Sequence, residues 1–172
     1  MVLVLLILTY NLAKTNLTFI GMRHYPGANN TSTPYWGIQF HQPVGSINIL
    51  QNMLNFYYIN TNGCQNIAGD IQTTFANTSK INYIEFEYIE YDQNGYFDGS
   101  RTSTNIYGNI SIFGDKYDLA WIIIARYPNI TGEAKSLKNL KKLYSFNFSQ
   151  SGCTGSKTDL WNDGDNIRYF YI

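Results

Sequence analysis

At 172 residues the chain is long enough for one domain with a real core and too short for two of ordinary size. Lys+Arg and Asp+Glu both number 12, so no basic surplus exists to neutralise phosphates, and the composition argues against a nucleic-acid partner. Charged residues make up 14% and aromatic residues 16%, with 15 Tyr and 10 Phe, a balance that leans towards strands.

The chain opens MVLVLLILTYNLAKTN, with an apolar stretch from Val2 to Leu8. That stretch is far shorter than the ~20 residues that span a bilayer, so no transmembrane span is expected here. Its length and position fit a secretory signal peptide, although a positively charged start is missing; the alternative is an N-terminal strand or buried arm. Residues 1–15 are accordingly set apart from one domain over 16–172. Asn16, Asn29, Asn30, Asn77, Asn109, Asn129 and Asn147 each begin an Asn-x-Ser/Thr triplet without an intervening proline. Together they point to export and glycosylation.

Strand signals then follow one another. NLTFIGMRHY (16–25) is the first, and a turn-rich PGANNTSTP leads to YWGIQFHQ (35–42), where Trp36, Ile38 and Phe40 share a face. SINILQNMLNFYYIN (46–60) holds one long strand or two, with Leu54, Phe56 and Tyr58 in phase. IAGDIQTTF (67–75) and INYIEFEYIEY (81–91) come next. Asp92-Gln93-Asn94-Gly95 supplies a hairpin turn, since Asn-Gly tolerates the positive φ such turns require. STNIYGNISIF (103–113) and YDLAWIIIARY (117–127) complete about eight strands on short connections. No charge run, low-complexity block or internal repeat stands out. This meander predicts an all-β fold, an antiparallel barrel or sandwich whose closure removes exposed edges.

Pro128 ends the last long strand because proline cannot donate to the ladder. Asn129 or Thr131 is placed to cap a helix, and Ala134, Leu137, Leu140 and Tyr144 recur at helical spacing. These features predict one amphipathic helix over 131–144. The two cysteines, Cys64 and Cys153, pair most simply in an exported chain, closing a long loop worth roughly 2–4 kcal/mol. The alternative is two buried free thiols.

Arg126-Tyr127-Pro128-Asn129-Ile130, preceded by Trp121-Ile122-Ile123-Ile124, resembles the third conserved block of the lipocalins. In that family the eighth strand ends in arginine before a helix that packs on the barrel wall. Thr104-Asn105-Ile106-Tyr107 echoes the family's second block, and Gly21-Met22-Arg23 has the glycine of the first block without its tryptophan. The resemblance implies an eight-stranded antiparallel up-and-down barrel with one C-terminal amphipathic α-helix, and it agrees with a Cys64–Cys153 bridge. It makes Arg126 a structural residue at the closed end. It also implies extracellular binding, transport or sequestration of a small hydrophobic molecule of the lipid, retinoid or pigment class.

Alternation places Ile38, Phe40, Leu54, Phe56, Ile71, Ile84, Phe86, Tyr88, Ile122 and Ile124 inwards, either as a ligand-binding lining or as a filled core. Glu85 and Glu87 share the opposite face; turned inwards they would suit a cationic amine, and turned outwards they are simply solvated. The alternatives are thus a structural or interaction subunit with a filled barrel, in a homo- or hetero-oligomer, and a biogenic-amine scavenger. Two histidines, His24 and His41, are too few for a metal cluster, and no nucleotide or nucleophile motif occurs. Neither enzymatic activity nor a cofactor is expected.

Overall fold

The computed structural model describes residues 19–21, 45–64, 66–89, 98–160 and 167–172, with side chains from residue 45 onward. Among the described residues eleven short strands fall into two sheets. The larger runs in the order β1 (Phe19–Gly21), β3 (Tyr58–Asn60), β5 (Tyr83–Glu87), β7 (Trp121–Ala125), β9 (Ser145–Asn147) and β11 (Tyr169–Tyr171). The smaller runs β10 (Gly152–Thr154), β8 (Ile130–Glu133), β6 (Ile106–Asn109), β4 (Ile67–Asp70) and β2 (Gly45–Ser46). Every pairing is parallel, and each joins a strand to the one two places along the chain. Each turn of the chain therefore contributes one strand to each sheet, and the molecule is a stack of coils.

The coils arise from a period of three. Ile47, Leu50, Met53 and Phe56 are buried in the first described coil, and Ala134, Leu137, Leu140 and Leu143 in a later one. Residues three apart eclipse one another in a 3-10 turn, so successive turns of this kind line one side with apolar groups. The backbone does this: Met53 N donates to Leu50 O and Phe56 N to Met53 O, and Leu140 N donates to Leu137 O and Leu143 N to Leu140 O. Short helical segments start these runs at Ile47–Leu50, Ile71–Phe75, Ile110–Phe113, Ala134–Leu137 and Lys157–Leu160. Polar caps start three of them: Ser46 accepts from Asn48 N, Asp70 from Gln72 N and Thr73 N, and Asn109 from Ser111 N.

Stacking needs close approach at the entry to each helical segment. Gly108 and Gly132 sit there at φ +128° and +122°. A Cβ on Gly108 would lie 2.7 Å from Ile71 Cγ1 and from Asp70 Oδ1; one on Gly132 would lie 2.7 Å from Asn109 Oδ1 and 2.8 Å from Ile110 Cγ1. The glycine of one coil thus rests on the cap and first apolar residue of the coil before it. Between the sheets Phe75 packs on Phe86 and Phe113, with ring centroids 6.1 and 5.3 Å apart, and Phe146 stacks on Phe170 at 4.9 Å.

This architecture corrects the expected antiparallel eight-stranded barrel. Among the described strands no consecutive pair forms a hairpin; the apolar segments suited strands, but alternation does not report strand direction. The helix expected over 131–144 is replaced by β8, a single 3-10 turn and further i→i+3 turns, because Ala134, Leu137, Leu140 and Leu143 repeat every three residues rather than every 3.6. An internal repeat does exist: Gly108 and Gly132 are 24 residues apart, and Gly132 and Gly155 are 23 apart. Cys64 and Cys153 are free thiols, so the expected disulfide is absent. Ile38, Phe40, Asn16, Asn29, Asn30 and the hairpin turn at 92–95 lie outside the described residues. Among the described residues no helix is long and apolar enough to cross a membrane.

Candidate functional site

The inward and outward faces of the six-stranded sheet carry different chemistry. Inward, Ile59, Ile84, Ile122 and Phe146 stand in register and are buried. Outward, the same register sets Tyr58, Tyr83 and Trp121 in a row, half-buried, with Tyr169 exposed at the far end. Parallel strands lie ~4.8 Å apart, so side chains in register can stack ring on ring. Tyr58 and Tyr83 do so at 4.4 Å between centroids, and Tyr83 and Trp121 at 5.5 Å with planes 9° apart. Tyr144, one residue before β9, continues the row at 6.0 Å from Trp121, and Tyr169 meets it edge-on at 5.6 Å. The Arg168 guanidinium lies 5.7 Å from the centre of the Tyr144 ring. Trp121 Nε1 is buried without a hydrogen-bond partner among the described residues.

The next outward row is Asn60, Glu85, Ile123, Asn147 and Tyr171. Glu85 is only 8% exposed and is held by donors from three side chains. Asn60 Nδ2 donates to its Oε2 at 2.7 Å, Asn62 Nδ2 to its Oε1 at 2.5 Å, and the Tyr83 hydroxyl also donates to Oε2. A carboxylate so surrounded is fixed in place rather than available to swing. Beyond it, Glu87 Oε1 accepts from Arg126 Nη1 at 2.9 Å, and the same nitrogen reaches Tyr88 O at 3.4 Å. Arg126 adopts a left-handed φ of 67° where the chain leaves β7.

The residues singled out by alternation separate here. Phe56, Ile71, Ile84, Phe86, Ile122 and Ile124 are fully buried and pack in the layer between the two sheets. Tyr88 packs at the margin of that layer and meets Tyr127 edge-on at 6.3 Å, while Leu54 is 61% exposed. Arg126 stands at a strand end of an open stack, bound to Glu87 rather than sealing a barrel. Glu85 and Glu87 do share the outward face. Asn77 and Asn129 are exposed, and Asn109 and Asn147 are half-buried.

Sequence reasoning missed the aromatic row and the Glu85 cluster, because both depend on which strands are neighbours. It also missed Lys116, buried at a position equivalent to Met53 and Leu140, with Nζ 3.4 Å from Ala76 O and paired to the exposed Asp115 at 2.9 Å. Burial pushes the Cys64 thiol up to about 12 and the Cys153 thiol up to about 11, and it raises the Tyr127 phenol as well. Among the described residues no group of three or more His, Cys, Asp or Glu is placed to hold a metal.

No family model matches the sequence, and no curated protein does. Solved structures do resemble it. One is the crystal structure of the leucine-rich-repeat ectodomain of the receptor kinase SOBIR1 from Arabidopsis thaliana, at 11% identity and a TM-score of 0.57. The match covers 90% of this chain and 67% of that one. At that identity the likeness is one of fold: a leucine-rich-repeat-like solenoid. It overturns the lipocalin resemblance drawn from Trp121–Ile130, from the echoes at Thr104–Tyr107 and Gly21–Arg23, and from the placing of the cysteines. With the barrel gone, the expected cup for lipid, retinoid, pigment or amine and the transport role built on it have no structural basis.

Proposed function

We propose that the protein is an extracellular recognition module that binds a partner protein on the outward face of its six-stranded sheet. The observation that carries this reading is the row of ring contacts Tyr58–Tyr83–Trp121–Tyr144–Tyr169 on the solvent side of the stack. Solenoids present extended faces of this kind to partners, and Tyr and Trp dominate the energetics of protein interfaces. A polysaccharide fits less well, since sugars stack on ring faces and these rings use their faces on each other. Asn-x-Ser/Thr triplets and the apolar start support an extracellular setting, in keeping with an ectodomain as structural neighbour. Recognition of this kind requires neither a cofactor nor catalysis.

The test is selection of a displayed library of peptides and small domains on the immobilised full chain, with the recovered binders measured against Trp121→Ala and Tyr83→Ala. The expected result is a loss of about thirtyfold or more in affinity for Trp121→Ala. Binders indifferent to both substitutions would remove the aromatic row from the site.

A further inference from the structure

The four described glycosylation triplets sit in two different environments, and the difference is chemical. Asn77 follows the helical turn Ile71–Phe75 and is exposed; its Nδ2 makes one surface hydrogen bond, to Gln51 O at 3.2 Å. Asn129 precedes β8 and is also exposed, with Nδ2 only 3.5 Å from Thr104 O. Asn109, by contrast, caps the helical turn Ile110–Phe113, its Oδ1 accepting from Ser111 N at 2.9 Å. Its amide lies under the next coil: a Cβ on Gly132 would be 3.2 Å from Asn109 Cγ. Asn147 lies within β9, in register between Ile123 and Tyr171. Its Oδ1 accepts from both Ser149 N and Ser149 Oγ, at 3.0 and 2.8 Å.

We propose that Asn77 and Asn129 are N-glycan acceptor sites of the folded protein and that Asn109 and Asn147 stay unmodified. The inference rests on the extracellular setting proposed above. In the transfer, Nδ2 of the asparagine bonds to C1 of a lipid-pyrophosphate-linked sugar supplied by the host transferase. The C1–O bond breaks, its electron pair leaves on the pyrophosphate, and the amide proton passes to a base of that enzyme. A glycan on Asn77 or Asn129 projects into solvent. One on Asn109 would separate two coils, and one on Asn147 would stand in the middle of the recognition face. Asn77 and Asn129 both lie outside the strands of the six-stranded sheet, so glycans on these two leave the aromatic row bare.

The experiment is site mapping on the full chain secreted from insect cells behind a supplied cleavable signal. Folded monomer is treated with peptide N-glycosidase in heavy-oxygen water and digested for mass spectrometry. The expected result is heavy-oxygen aspartate at positions 77 and 129 and unmodified asparagine at 109 and 147. Occupancy of Asn109 or Asn147 in folded monomer, or an empty Asn77 or Asn129, would overturn the proposal. Because the signal is supplied, this outcome is separate from whether the chain's own N-terminus directs export, and separate from the Trp121→Ala binding result.

Discussion

Where the five-stranded sheet runs into its helical turns, the backbone of each coil lies directly on side chains of the coil before it. On the outward face of the six-stranded sheet, side chains in register meet one another and solvent. At the first place Gly108 and Gly132 leave no room for a methyl group. At the second the rows run through Tyr, Trp, Glu, Asn and Ile without breaking the ladder. One side of the molecule is thus constrained by the repeat itself. The other carries no such backbone contact, so sequence there can vary without changing the fold.

Substitutions can break or sharpen that contrast. The largest effect belongs to the layer both sheets share: Phe146→Ala removes a buried ring stacked on Phe170 and tilted against Phe148 and should cost about 3–5 kcal/mol in urea melts. Next is the constrained side. Gly132→Ala forces a side chain into left-handed φ against Asn109 and Ile110 and should cost about 2 kcal/mol or more, whereas Ile123→Ser on the outward face should cost less than half of that. Equal losses at the two positions would erase the distinction.

Lys116→Met tests the period of three from the other direction. Met53 and Leu140 occupy the equivalent place, so the exchange removes a buried ammonium and should stabilise by about 1 kcal/mol; a clear destabilisation would mean that the lysine holds its coil together. The thiols give the smallest effect, none at neutral pH. Cys64 keeps its proton to about 12 in the folded chain against 9.0 for an ordinary thiol. The unfolded chain therefore releases its proton first as pH rises. Stability should fall from about pH 9 towards pH 12, and the fall should shrink in Cys64→Ala. At pH 8 both thiols should react slowly with a disulfide reagent until the chain is unfolded.

Much of the core was legible in the sequence, and its arrangement was not. Alternation puts Ile84 with Phe86 and Ile122 with Ile124, and all four are fully buried, yet between two open sheets. Strand direction leaves no mark on side-chain alternation, so a parallel stack and an antiparallel meander read alike. The repeat was written in the chain as Gly-polar-(Ile/Ala)-x-x-(Leu/Phe), at Gly45, Gly108 and Gly132. Its spacing is broken by the longer segment between Glu87 and Ile106, which sets Gly69 and Gly108 39 residues apart, and the apolar positions vary among Ile, Leu, Phe and Ala. The aromatic row could not be found from spacing at all: Tyr58, Tyr83, Trp121 and Tyr169 become neighbours only once the coils are stacked.

The most direct test of the stack is the pattern of nuclear Overhauser contacts across β5, β7 and β9 in labelled protein. Parallel coils predict contacts from the Trp121 indole to both the Tyr83 and Tyr144 rings, and no strong Hα–Hα contacts between neighbouring strands. Strong Hα–Hα contacts between β5 and β7, the mark of antiparallel pairing, would contradict the solenoid and every inference drawn from it.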